Sequence, residues 1–158
     1  MQIKGFTTSG RGLALALSLM FVLCVQMAFA DRPLKLLAIG NSFSEDAIEQ
    51  NLFELAAAAG HQMVIGNMYI GGCSLERHWE NAQSNKPDYD YRKIGIDGKM
   101  TRTANYTLDK ALRDEQWDYV SLQQVSQLSG MYSSFQPHLD SLIAYVRARV
   151  PATTKLIW

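Results

Sequence analysis

The sequence predicts an α/β domain of three layers, a parallel sheet with helices on both faces. Two patterns carry that prediction. Short, nearly continuous apolar runs of strand length alternate with longer stretches of helical periodicity, as expected for parallel strands joined by crossover helices. Three of those runs also end in unusual segments: Gly40-Asn41-Ser42-Phe43-Ser44, Gly71-Gly72-Cys73-Ser74 and Gln123-Gln124-Val125-Ser126. In an open parallel sheet all three would share the edge beyond the C-terminal strand ends, where ligands bind.

The elements follow in order. Leu34 to Ile39 is an apolar run suited to a strand buried on both faces. Glu45 to Ala59 reads as one helix, with Ala47, Ile48, Leu52, Leu55, Ala56 and Ala59 at helical spacing. Ser44 is its expected N-cap, Glu45 and Asp46 suit its first turn, and Gly60 ends it. Gln62 to Ile70 is a second strand, and a short helix follows around Leu75 to Asn81. Residues 83–103 are polar and contain Asp97-Gly98 between alternating residues, a hairpin signal. They read as a surface insertion, placed over the site. Tyr106 to Glu115 is a helix, Trp117 to Gln123 a third strand, Gln136 to Arg149 an amphipathic helix and Thr154 to Trp158 a fourth strand. A parallel strand normally has a helix after it to cover the sheet, so the C-terminal part of the sheet is expected to be missing.

The chain has 158 residues with 15 basic and 15 acidic side chains, enough for one domain with a core. The first 30 residues hold Lys4 and Arg11 and no acid. An apolar stretch from Leu13 to Val25 then leads to Ala28-Phe29-Ala30, the layout of a cleavable secretory signal. Export to the periplasm or beyond follows, with no stable membrane insertion after cleavage and residues 31–158 as the mature domain. The bulky Leu23 before Cys24 argues against lipoprotein processing there. Without the signal 13 basic residues face 15 acidic ones, which gives no electrostatic reason to expect nucleic acid as partner. Cys73 is then the single remaining cysteine. It cannot form an internal disulfide and reads as a small buried filler.

Acyl transfer needs a positioned hydroxyl and donors aimed at the developing oxyanion. Ser42, just before a helix start, meets the first need, and the backbone N–H groups there favour negative charge. Each strand-end segment has a plainer reading as turn, cap or solvated end. Their coincidence on one edge favours a site. No cluster has metal-ligand spacing. The glycine spacing that cradles phosphate is absent, so a flavin or nucleotide cofactor gains little support.

Leu36-Leu37-Ala38-Ile39-Gly40-Asn41-Ser42-Phe43-Ser44 resembles the first block of SGNH (GDSL-like) hydrolases, with Asn41 in place of the usual aspartate. A Gly-Asn-Ser-Phe-Ser version is familiar from a branch of that superfamily known only as domains of unknown function. Asn67 to Trp79 resembles the second block and Trp117 to Gly130 the third. The resemblance implies a flavodoxin-like sheet and a serine esterase without cofactor or metal. It makes Ser42 the nucleophile and its own N–H the first oxyanion donor. Gly72 becomes the second donor, ahead of Gly71. Gln124 is assigned as the third, with Gln123 and Gln127 as alternatives, and Asn41, Gln123 and His78 are weaker candidates for substrate contact.

One departure is large. The superfamily's last block is Asp-x-x-His, whose histidine is the general base, and no aspartate here has a histidine three residues on. His61, His78 and His138 are the histidines present. A serine without its base is a poor nucleophile, so the expectation is an esterase parent and a nearly inactive 158-residue chain. Trp79, Tyr89, Tyr91 and Tyr106 in and around the insertion suggest rings that stack on sugars, hence a glycan ester as substrate. The alternative is a non-catalytic exported binding protein on the same scaffold.

Overall fold

The computed structural model describes residues 32–158. The expected signal segment and Cys24 lie outside the described residues. Among the described residues no helix is long and apolar enough to cross a membrane.

Strand β1 (Leu34–Gly40) leads into a single helical turn, α1 (Ser42–Ser44), then a π-helical turn (Glu45–Glu49) and helix α2 (Leu52–Ala58). Strand β2 (Met63–Tyr69), helix α3 (Leu75–Ser84) and the hairpin β3 (Tyr89–Ile94) and β4 (Met100–Tyr106) come next. Helix α4 (Leu108–Asp114), strand β5 (Tyr119–Leu122), a 3-10 turn (Tyr132–Phe135), helix α5 (His138–Arg147) and strand β6 (Lys155–Ile157) complete the order. The strands form one six-stranded sheet, β4-β3-β2-β1-β5-β6. β1 pairs in parallel with both β2 and β5, and β5 with β6. Taken alone, the parallel strands follow the flavodoxin-like arrangement, with β1 at the point where the winding reverses.

Alternation along β1 feeds both faces. Leu37 and Ile39 join Met68, Val120, Leu122 and the apolar sides of α3, α4 and α5 in the larger core. Ala38 faces the other way, with Ile48, Met63, Ile65 and Ile94, against which Leu52 and Phe53 pack. Leu37, Ile39 and Val120 are wholly buried, and burial of such a side chain stabilises by about 1.5–3 kcal/mol. Helices therefore lie on both faces, as the run pattern predicts.

Two expectations are corrected. The single helix over 45–59 is three pieces, begun by Asn41, whose Oδ1 accepts the Phe43 N–H at 3.1 Å. Ser44 has no capping role. The π-helical turn sits where Glu45 and Glu49 both reach Arg92 of β3, an attachment that helical periodicity does not reveal. Leu55, at an expected apolar position, points to solvent, 65% exposed. The insertion does turn at Asp97-Gly98, where Gly98 has φ +75°. It extends the sheet beyond β2 as an antiparallel hairpin.

Candidate active site

The strand-end segments converge through close approach and buried amides. Gly40 ends β1, and a Cβ there would lie 2.5 Å from Ser44 Oγ and 2.9 Å from Gln123 Oε1. Only glycine lets the strand turn this tightly into α1. Ser42 is the first residue of that turn and is exposed. Its N–H has no acceptor within the helix, as for any first-turn residue, and the Asn41 side chain takes Phe43 N instead. Helical structure breaks after Glu49, so the dipole of one long helix does not bear on Ser42.

Asn41 is buried at 1% exposure and joins the three loops. Its Nδ2 donates to the carbonyls of Cys73 at 3.1 Å and Gln124 at 3.3 Å. An aspartate could make neither bond, which gives the departure from Gly-Asp-Ser a physical role. Gln124 is buried beside it: Oε1 accepts the N–H groups of Leu75 (3.1 Å) and Val125 (2.9 Å). Its Nε2 donates to the carbonyl and hydroxyl of Ser134. Both ends of the amide are therefore committed to backbone and loop. The assignment of Gln124 as third oxyanion donor is corrected accordingly: it is a tie that shapes the loops.

Gln123 carries the uncommitted amide on this edge. Its side chain makes no hydrogen bond among the described residues, and its Oε1 is buried without a partner beside Gly40 and Ser44. Gln127 lies further out, with Oε1 accepting from Ser126 Oγ at 3.2 Å. Gly72 is exposed with φ +61°, a left-handed conformation that favours glycine. The N–H groups of Gly71 and Gly72 have no acceptor among the described residues, whereas Cys73 N–H is held by Ile70. The geometry thus leaves Ser42 N–H and Gly72 N–H on loops that Asn41 ties together.

The histidines divide clearly. His78, proposed for substrate contact, is wholly buried, its Nδ1 3.0 Å from the Tyr89 hydroxyl and its ring stacked on Tyr89. That placement corrects the expectation, because burial removes the ring from substrate and lowers its pKa to about 3. His61 is exposed just before β2, at the edge opposite Ser42. His138 opens α5, with Nε2 3.8 Å from Glu76 Oε1. Among the described residues none makes a hydrogen bond with Ser42 Oγ. Cys73 is wholly buried, and burial pushes its thiol up to about 12, so it is protonated filler.

Of the four aromatic residues in and around the insertion, two are closed to a ligand and two are half-buried. Tyr89 and Tyr91 are core residues, Tyr106 stacks on Tyr91, and Trp79 meets Tyr145 edge-on. They anchor the hairpin and α3.

A second polar cluster escapes sequence reasoning. Arg92, 7% exposed, donates to Glu45 at 2.8 Å, Glu49 at 3.2 Å and Asp90 at 2.7 Å, and lies 3.8 Å over the Tyr69 ring. Asn67 links it to the serine turn: its Nδ2 donates to Glu49, and its Oδ1 is 2.9 Å from Ser44 Oγ. The signal available was the spacing of Glu45 and Glu49 on one helical face. Among the described residues no group of His, Cys, Asp and Glu is arranged to hold a metal ion.

Strand-end loops gathered around an exposed serine, on a flavodoxin-like sheet widened by a hairpin, define the class of domain. The chain belongs to the DUF4886 family, a domain of unknown function whose match spans residues 35–157. It is similar to a DUF4886 family protein from Bacteroides uniformis ATCC 8492, solved by crystallography at 1.50 Å resolution. That likeness has a TM-score of 0.77 and 54% identity, covering 79% of this chain and 48% of the other. The chain therefore spans about half the length of that solved relative. No curated protein matches it.

Proposed function

We propose that this DUF4886 domain is an exported serine acyl hydrolase of the SGNH type that removes acetyl or similar acyl groups from a glycan. One observation supports this reading above the rest: Ser42 is exposed at the end of the central strand, on a loop tied by Asn41 to the Gly72 and Gln124 loops. In this reading Ser42 Oγ attacks the ester carbonyl. The oxyanion accepts hydrogen bonds from Ser42 N–H and Gly72 N–H, with Gln123 the side chain free to add a third. The alcohol leaves with the proton taken from Ser42, and water then hydrolyses the acyl-serine. Preorganised donors of this kind are each worth roughly 3–4 kcal/mol in the transition state.

The proton needs a base. His78 is buried and His61 stands at the far edge, so the reading draws the base from family sequence outside the span matched here. The 158-residue chain alone is then a weak catalyst. The test is hydrolysis of p-nitrophenyl acetate by residues 31–158, by its Ser42→Ala variant and by the full-length relative with its matching serine replaced. Activity in the relative that is lost with that serine supports the reading. Serine-dependent activity in the short chain would place the base within it, with His138 the first candidate.

A second reading, a non-catalytic exported binding protein, rests on Ser42 Oγ lacking a hydrogen-bond partner among the described residues. Absence of serine-dependent turnover in every form, with ligand binding retained, would favour it.

A further inference from the structure

Tyr69 closes β2 and stands in register beside Gly40, the last residue of β1 before the serine turn. Its ring lies 3.8 Å from the Arg92 guanidinium, which Glu45, Glu49 and Asp90 hold in turn. A cation over an aromatic face gains roughly 0.5–2 kcal/mol, so the ion cluster clamps the ring. The far end of that ring carries its hydroxyl to the Gly71-Gly72 loop: a Cβ on Gly71 would lie 3.4 Å from Tyr69 Oη.

Packing explains the ring and leaves the hydroxyl unexplained. A phenylalanine would fill the same place beneath Arg92, yet the half-buried Tyr69 makes no hydrogen bond through Oη among the described residues. Two other tyrosines of this sheet differ, since Tyr89 Oη meets His78 and Tyr91 Oη donates to Asp114. A tyrosine hydroxyl withdrawn from water usually finds a partner. Tyr69 thus holds an open donor and acceptor beside the loop that offers Gly72 N–H.

We propose that Tyr69 sets specificity for the alcohol part of the ester, its hydroxyl pairing with a free hydroxyl of an uncharged polyhydroxy alcohol such as a sugar. The inference rests on the acyl-hydrolase reading for the placement of the ester at Ser42. In that reading the carbonyl oxygen lies with Ser42 N–H and Gly72 N–H, and an acetyl group has no other polar atom. A further donor beside the loop therefore serves the alcohol part. A tyrosine hydroxyl both donates and accepts, which matches a sugar hydroxyl. Arg92 is committed to three carboxylates, so the site offers no free cation to an acidic sugar.

The test uses the chain carrying Ser42→Ala, so that esters are not consumed, labelled with meta-fluorotyrosine. The Tyr69 signal is assigned by its loss in Tyr69→Phe. The mono-acetates of methyl glucoside are titrated against ethyl acetate, which offers the same acetyl ester without a further hydroxyl. The Tyr69 fluorine resonance should move saturably with at least one glucoside ester and stay in place with ethyl acetate. Tyr69→Phe should weaken that glucoside ester about fivefold, the effect of one lost hydrogen bond. Its thermal midpoint should be unchanged, because the hydroxyl has no partner within the fold to lose. No movement with any glucoside ester, equal movement with ethyl acetate, or equal affinity in Tyr69→Phe would overturn the proposal. Hydrolysis of p-nitrophenyl acetate separates the two readings. Ser42-dependent turnover without movement at Tyr69 keeps the esterase and removes the contact; movement at Tyr69 without such turnover in any form does the reverse.

Discussion

Two buried polar clusters flank the serine turn, and they hold it by different physics. On the β5 side Asn41 and Gln124 are neutral amides whose donors and acceptors are all met by backbone and Ser134. On the hairpin side Arg92 gathers three carboxylates. A satisfied amide network works at any ordinary pH and tolerates no change of donor pattern. A buried ion cluster repays its desolvation only while complete, so removal of one member leaves a stranded charge. The amides set the shape of the site, and the ions attach the hairpin to it.

The difference can be broken in order of effect. Arg92→Met should be the most damaging, costing about 3–5 kcal/mol, because Glu49 has a 6% exposed side chain and loses its cation. Urea unfolding measures it, and adding Glu49→Gln should recover part of the loss. Full additivity of the two would deny the coupling. Asn41→Asp should come next, at about 2–3 kcal/mol, since a carboxylate would face two carbonyl oxygens. That loss should shrink at low pH as the new carboxyl is protonated, and a pH-independent loss would contradict the donor role given to Asn41.

Gly40→Ala should cost about 1–3 kcal/mol as an overpacked site, with exchange of the Ser42 to Glu45 amides quickened more than that of β6. Uniform quickening would show that the close approach to Ser44 has no local role. The smallest effect at neutral pH belongs to His78→Phe. The unfolded imidazole titrates near 6.5 and the buried one near 3. Below pH 6.5 the unfolded chain therefore takes up a proton that the folded chain refuses, and stability falls towards pH 3. The variant should flatten that part of the acid limb; an unchanged limb would mean that His78 is protonated in place.

Much of this was legible. Apolar runs marked β1, β2 and β5, and glycines marked the turns that follow β1 and β2, so Ser42 and Gly72 could be placed on one edge. The choice between Gln123 and Gln124 could not be read, because it depends on where β5 ends: Leu122 is the last ladder residue, and the turn after it sends Gln124 inward. Arg92 was hidden because two of its three carboxylate partners are 43 and 47 residues away. The insertion tyrosines did carry a signal, since Tyr89 and Tyr91 share one strand face, the period of a strand packed on a core.

The central claim is that Ser42 N–H and Gly72 N–H are donors held ready for an oxyanion. Titration of ¹⁵N-labelled protein with methylphosphonate, an anion with tetrahedral oxygens, tests it most directly. The account predicts that both amide resonances move downfield together and saturably, and that Asn41→Asp abolishes the response. No movement at either amide, or movement that survives Asn41→Asp, would contradict it.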